Sequence, residues 1–328
     1  MASIAAPAAS APARAARPSI DWGRVVVIAI PFLWLAALFL VPFFIVVKIS
    51  LSYPAISMPP YEPQFDIAQG WAGVTAFLSE LTVENYQRLI EDPLYVRSYL
   101  SSLQIAAIST LFVLLIGYPM AYAMARAPKG WRPFLMVAVI LPFFSSLLIR
   151  VYAWVAILKP EGLLNLALSW IGVVGTETVN GVTTFVDPVN VFNSPTAVII
   201  GIVYSYLPFM VLPLYATLEK LDDTLLEAAQ DLGCTQIGAF WRVTFPLSIP
   251  GIIAGCLLVF IPAIGEYVIP DLLGGSSTLM IGKQLVNEFY ANRDWPAASA
   301  VAVVLLILLV VPIVLYQQQQ AGQIEAVK

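Results

Sequence analysis

Six stretches of the chain stay apolar for about 20 residues or more, and the polar positions between them gather into loops of very unequal length. They fall at roughly 25–48, 99–125, 133–158, 196–218, 247–270 and 296–316. A helix rises ~1.5 Å per residue, so each can cross the ~30 Å hydrocarbon core of a bilayer. The pattern predicts an all-α polytopic membrane protein with six transmembrane helices. Ahead of the first run, MASIAAPAASAPARAARPS is rich in Ala and Pro and has no apolar core before Val25. Residues 1–24 are therefore expected to be a disordered tail. They do not read as a cleaved signal, because the apolar run that follows is too long for a signal h-region. Residues 25–316 form the membrane domain, with a polar insert at 219–246, and 317–328 a C-terminal tail.

Composition agrees with this reading. The 328 residues are 60% hydrophobic and 11% charged, with a mean hydropathy of +0.85. A soluble domain of that length needs far more polar residues to cover its surface. Lys and Arg near the span ends then set the orientation. With the N-terminus inside, Arg14, Arg17, Arg24, Arg126, Lys129, Arg132, Lys220, Arg242 and Lys328 are cytoplasmic. Lys48, Arg88, Arg97, Lys159, Lys283 and Arg293 fall outside, spread over longer loops. The short APKGWRP turn at 127–133 decides most strongly. Both termini are expected to be cytoplasmic, and so is the insert. The outer loops carry an excess of acid, among them Glu62, Asp66, Glu80, Glu84, Glu91, Asp92 and Glu288. Such a face attracts cations, or simply keeps the loops soluble.

Several chemistries are excluded. Histidine is absent, and Cys234 and Cys256 are the two cysteines, so histidine-based catalysis, zinc sites and a disulfide framework drop out. The nearest approach to a phosphate-binding loop, GGSSTLMIGKQ from Gly274, lacks the required glycine spacing and the Ser/Thr after lysine. No catalytic residue, metal ligand, cofactor or nucleic-acid partner is expected on this chain, and it should not hydrolyse ATP by itself.

The insert contains EAAQDLGCTQIGAFWRVTFP, Glu227 to Pro246. Asp222, Asp223 and Thr224 are N-cap candidates for a short helix with Leu225, Leu226, Ala228, Ala229 and Leu232 on its apolar side. Gly233 can end it in a left-handed conformation. Thr235 can cap a second short helix through Phe240, Trp241 and Arg242, and Pro246 suits the first turn of the fifth span. Two short helices at an angle, with small residues where another backbone can approach, are either a docking element or a loop folded back on its own bundle.

Glu227-Ala228-Ala229, three residues, Gly233, nine residues, then Val243-Thr244-Phe245-Pro246 resembles the EAA signature of ABC importer permeases; Val243 and Phe245 are the two departures, apolar for apolar. The resemblance implies that the first short helix is a coupling helix, with Glu227, Ala228, Ala229 and Gly233 forming the element that docks on an ATPase subunit. QIAAISTLFVLLIGYPMAYAMA from Gln104, LIRVYAWVAILKPEGLLN from Leu148, GIVYSYLPFMVLPLY from Gly201, GEYVIPDLLGG from Gly265 and NRDWPAASA from Asn292 together resemble polyamine-importer permeases. The similarity covers about 99–316 and is nearest the putrescine type. It implies a type I importer fold in the inner membrane, a second homologous permease, two ATPase subunits that bind ATP and Mg, and a periplasmic polyamine-binding protein.

Ionisable side chains inside spans cost ~2.5–3.5 kcal/mol on insertion scales. Glu266 lies ~30 Å along the fifth span and Arg150 ~26 Å along the third, at similar depth in the outer half of the membrane. Glu266 either attracts a polyamine ammonium, helped by the Tyr267 ring and Asp271, or forms a structural ion pair with Arg150. Pro262 and Gly265 favour a broken helix, of the kind that lines cavities at membrane depth. Tyr152, Trp154, Tyr204, Tyr206 and Tyr267 are either interfacial anchors or ligand contacts. Tyr204 and Tyr206 lie inside the fourth span and fit the anchor role less well. The rival functions are an importer for spermidine or another small solute, an ion-coupled secondary transporter or channel working alone, and a scaffold without transport. The secondary transporter leaves the EAA insert unexplained, and the scaffold leaves Arg150 and Glu266 unexplained.

Overall fold

The computed structural model describes residues 22–64, 75, 79–179 and 182–326. The expected tail, residues 1–24, lies almost wholly outside these, as does Asp66. The chain divides into two compact units, residues 1–46 and 47–328. The first contains most of α1 (Trp22–Ser50), whose Val25–Ser50 stretch is long and apolar enough to cross a membrane.

In the second unit, α2 (Glu84–Glu91) leads into α3 (Pro93–Arg126), which Asp92 caps by accepting from the Leu94 N–H at 2.8 Å. Next come α4 (Arg132–Ile140), a tight turn at Leu141–Phe144, and α5 (Leu147–Leu158). The third apolar stretch, expected as one span over 133–158, is therefore broken, its two arms meeting at 86°. The carbonyl of Pro142 satisfies the polar atoms at the corner by accepting from the Ser145 N–H at 3.2 Å and its hydroxyl at 2.7 Å. Irregular backbone at membrane depth needs such local partners.

After α6 (Leu163–Trp170), strands β3 (Gly175–Val179) and β4 (Val182–Val186) pair antiparallel with Thr176 opposite Phe185. A two-residue bridge pairs β1 (Tyr53–Pro54) with β2 (Tyr61–Glu62). The fold is thus helical with two small sheets in its loops, where an all-α chain was expected. Then follow α7 (Pro195–Leu218), α8 (Asp223–Asp231), α9 (Gln236–Ala239) and α10 (Phe245–Ile264). The chain ends with α11 (Val268–Leu273), α12 (Ile281–Val286) and α13 (Trp295–Ala326). Helix α13 runs through most of 317–328, the segment expected to be a tail.

Helices α3, α7 and α10 pack into the core. One apolar cluster joins Val113 and Ala121 of α3 to Met210 and Leu214 of α7 and Val259 of α10. A second joins Tyr95 and Ile105 to Ile202, Ile264, Leu273, Ile281 and Val301. Small residues set the spacing. A Cβ at Gly117 would lie 3.0 Å from Met210 Cγ, and one at Gly255 would lie 3.3 Å from Met210 Cα. Such contacts let helices approach closely where lipid offers no hydrophobic drive to pack them.

By length and apolarity, four described helices can cross a membrane: Val25–Ser50, Pro93–Arg126, Pro195–Leu218 and Gln236–Ile264. The bent α4–α5 pair makes a fifth if counted as one span, and the apolar stretch Trp295–Val310 of α13 is shorter.

Candidate functional site: a polar insert and a broken helix

The insert is built from local signals. Asp222 is the N-cap of α8, accepting from the Thr224 N–H at 3.0 Å; that bond holds the Asp222 carboxyl below its usual pKa. Helix α8 ends in a Schellman turn. The Gly233 N–H donates to Gln230 O at 2.8 Å and the Cys234 N–H to Ala229 O at 3.0 Å, with Gly233 at φ +85°. Glu227, Ala228 and Gly233 are exposed, whereas Ala229 is buried. Thr235 caps α9 by accepting from the Gly238 N–H at 3.1 Å.

The second short helix is not a separate element. A π-helical turn at Phe240–Thr244 carries α9 straight into α10, so one helix runs from Gln236 to Ile264. Pro246 lies in the first turn of α10, just past that π-helical turn, where the sequence placed it.

Two ion pairs that the sequence reading missed tie the insert to the bundle. Arg126, at the end of α3, pairs with Asp223, and Arg132, at the start of α4, with Glu219 at 3.3 Å. Both are partly exposed and contribute little to stability; they join the insert to the end of α3 and the start of α4. An aromatic group adds packing. Phe240 meets Tyr118 and Tyr122 edge-on at 5.8 and 5.7 Å, and the Tyr118 hydroxyl shares a hydrogen bond with Ser248 at 3.0 Å. Beyond these, Leu232, Ile237 and Trp241 stand exposed.

The second feature is the break after α10. The helix stops at Gly265, and the Glu266 carboxylate folds over the start of α11. Its Oε1 accepts from the backbone N–H groups of Tyr267, Val268 and Ile269 at 3.1, 3.0 and 3.5 Å. Its Oε2 accepts from the Tyr206 hydroxyl at 2.6 Å, and the residue is 9% exposed. The carboxyl thus serves as acceptor for four donors, three of them backbone N–H groups at the start of α11. Gly282 packs so closely on this corner that a Cβ there would collide with the carbonyl oxygens of Gly265 and Glu266.

Of the two readings the sequence left open for Glu266, the ion pair with Arg150 is not formed. Equal depth along two straight helices placed them together, but the third stretch turns through 86° just before Arg150. Its guanidinium lies instead over the Phe143 ring, 5.4 Å from the centroid. Asp271 pairs with Lys283 at 3.3 Å. Trp154 and Tyr204 meet edge-on at 5.6 Å, and Tyr152 and Tyr267 are exposed. The candidate pathway residues thus fall into separate groups: Tyr206 with Glu266, Trp154 with Tyr204, Asp271 with Lys283, and Arg150 by itself.

Glu288, counted from sequence among the outer-loop acids, is 2% exposed. It sits in a π-helical turn, Asn287–Ala291, that follows α12. Its carboxylate accepts from the Tyr95 hydroxyl, the Gln284 amide and the Asn292 amide, each at 2.9 Å. Alongside it Arg88 pairs with Asp294 at 2.8 Å. The network joins the start of α3 to the corner before α13. Gln284 and Asn292 stand four residues before and after the acid, the one sequence signal that could have marked it. Glu288→Ala leaves three donors without an acceptor, at about 1–3 kcal/mol for a buried group. A fall in melting temperature of the purified protein is expected, with Glu288→Gln in between; a Glu288→Ala melting curve matching wild type would show the network to be dispensable.

Comparison with known proteins follows the same lines. Residues 113–321 match the family described as binding-protein-dependent transport system inner membrane component. The spermidine/putrescine transport system permease protein PotB of Haemophilus influenzae is 40% identical over 278 residues, 85% of this chain and 87% of that protein. The protein of the same name in Escherichia coli (strain K12) is 46% identical over 222 residues, 68% of this chain and 76% of that one. Among solved structures, a bacterial ABC transporter involved in import of the acidic polysaccharide alginate aligns with a TM-score of 0.63. It covers 93% of this chain and 96% of that chain at 20% identity, a likeness of fold. The chain belongs to the family of binding-protein-dependent transport system inner membrane components.

Proposed function

We propose that this chain is the permease subunit of an ATP-driven polyamine importer. In this reading six spans cross the inner membrane and both termini are cytoplasmic. Two ATPase subunits, which bind ATP and Mg, drive the chain through α8, and a second homologous permease completes the pathway. A periplasmic polyamine-binding protein delivers the substrate to the outer face. There, a groove of 890 Å³ lies between residues 54–60 and 289–295, with Tyr290 exposed beside it. The observation that carries the proposal is the insert. Its exposed Glu227-Ala228 surface, turned by Gly233 and joined to the bundle through Arg126 and Arg132, has no use in a transporter working alone. The names of the relatives support the substrate class. Putrescine is the polyamine expected from the sequence resemblance, and spermidine is the alternative.

At the outer end of the pathway, Tyr206 and Glu266 position the broken helix, and the aromatic faces of Tyr204, Trp154, Tyr152 and Tyr267 are available to a cationic substrate. Asp271, held by Lys283, belongs to the same rim.

The test is reconstitution of the complex with its binding protein, followed by ATP turnover with putrescine, spermidine and an unrelated neutral solute. Polyamine should stimulate turnover and the neutral solute should not, while the chain purified alone should show none. Stimulation by the neutral solute alone would refute the substrate class. Uptake that persists without any ATPase would refute the mechanism.

A further inference from the structure

Arg150 brings a positive charge into the apolar part of the molecule, and among the described residues no carboxylate pairs with it. It lies in the first turn of α5, just beyond the 86° elbow. Among the described residues no carboxylate or carbonyl accepts from its guanidinium side chain, and its Nε is shielded from solvent without a hydrogen-bond partner. Only the flat face is engaged, over Phe143. Of the acids considered from sequence, Glu266 is committed to Tyr206 and backbone N–H groups and Asp271 to Lys283. Around the arginine the elbow is an exposed apolar surface made by Leu141, Phe144, Leu148, Ile149 and Tyr152.

An arginine in this position can face lipid, the transport pathway or another protein chain. Hydrocarbon leaves both its charge and its donors uncompensated. A pathway for a polycation would set like charge against like. A carboxylate on a neighbouring membrane chain supplies the counter-charge and two acceptor oxygens that suit the guanidinium fork. We infer that Arg150 is half of an ion pair between subunits: the elbow 141–152 packs on the second permease, and that subunit contributes the carboxylate. The inference rests on the proposed function, a two-permease polyamine importer. It also requires the two permeases to differ here, because a second copy packed elbow to elbow would oppose one Arg150 with another.

The experiment uses the whole complex, with an affinity tag on this chain and the second permease measured in the purified material. Arg150→Met should lower recovery of the second permease by at least about tenfold, the scale of an uncompensated buried charge. Arg150→Lys, which keeps the charge but not the fork, should retain more of it. Arg150→Glu should lose it and regain it when one intramembrane carboxylate of the second permease is changed to lysine. Membrane levels of each variant, measured without the partner, separate misfolding from failed assembly. Arg150→Met that recovers the second permease at the wild-type level overturns the inference and leaves the proposed function standing. Recovery of the wild-type chain only as a dimer with its own copy overturns both, and is distinguished because it appears before any substitution.

Discussion

Gly233→Val is expected to cut polyamine-stimulated ATP hydrolysis and uptake sharply while the protein still reaches the membrane. Gly233 sits at φ +85° with nothing within 4 Å of the place a Cβ would occupy, so the neighbours do not resist a side chain; the backbone conformation does. A left-handed backbone costs an L-residue about 1–2 kcal/mol, and β-branching makes it worse. The chain escapes that cost by giving up the two hydrogen bonds that end α8, those from the Gly233 and Cys234 N–H groups. Helix α8 then loses its direction relative to the long helix that begins at Gln236. Uptake should fall by about tenfold or more, since each tenfold corresponds to ~1.4 kcal/mol. Gly233→Asn, which tolerates the same conformation, should retain most of it. Uptake and stimulated hydrolysis at wild-type levels in the valine variant would place the coupling turn elsewhere.

Glu266 gives the second large effect, and here the two substitutions should separate. Glu266→Ala removes the acceptor for the Tyr206 hydroxyl and for three backbone N–H groups at a buried helix start. Each orphaned group costs about 1–3 kcal/mol, so the variant should accumulate poorly. Glu266→Gln keeps a carbonyl oxygen for the backbone, and its amide can donate to the Tyr206 oxygen. It should fold, and its uptake should stay within about threefold of wild type, a difference well under 1.4 kcal/mol. Melting temperature and uptake are measured on both. A glutamine variant that melts like wild type but transports a hundredfold less would mean that the negative charge itself is required, and the cap would then be secondary.

These two positions also show what could be read from the sequence alone. The insert was legible because its signals are local: an Asp or Thr two or three residues ahead of the N–H it caps, and a Gly where the chain must turn left-handed. Asp222, Gly233 and Thr235 all act where their spacing placed them. The break at Gly265 was legible for the same reason. The supposed partner of Glu266 was not, because a count of residues gives depth along a helix and says nothing of its azimuth. A helix that turns through 86° removes even the depth. Glu288 was hidden by a different fault. Hydropathy places its segment in a loop between spans, and the amides of Gln284 and Asn292 come beside it only once that loop is helical. The β3–β4 hairpin had a signal that went unused, the dipeptide Asn180-Gly181 between runs rich in Val and Thr. That leaves the ion pairs at Arg126 and Arg132, which join residues 97 and 87 positions apart and lie beyond any local rule.

The π-helical turn at Phe240–Thr244 changes how any residue-by-residue scan of this region must be phased. A turn of that kind holds one residue more than an α-helical turn, so a helical wheel drawn from Gln236 to Ile264 slips by one position, about 100°, on crossing it. Side chains before the slip, such as Ile237, and side chains after it, such as Gly251 and Gly255, do not share one periodic frame. Labelling or cysteine-accessibility data fitted with a single 3.6-residue period across the segment would blur two faces set about 100° apart. Fitted from Phe245 onward alone, the same data should give one clear stripe, that of Gly251 and Gly255, facing α7.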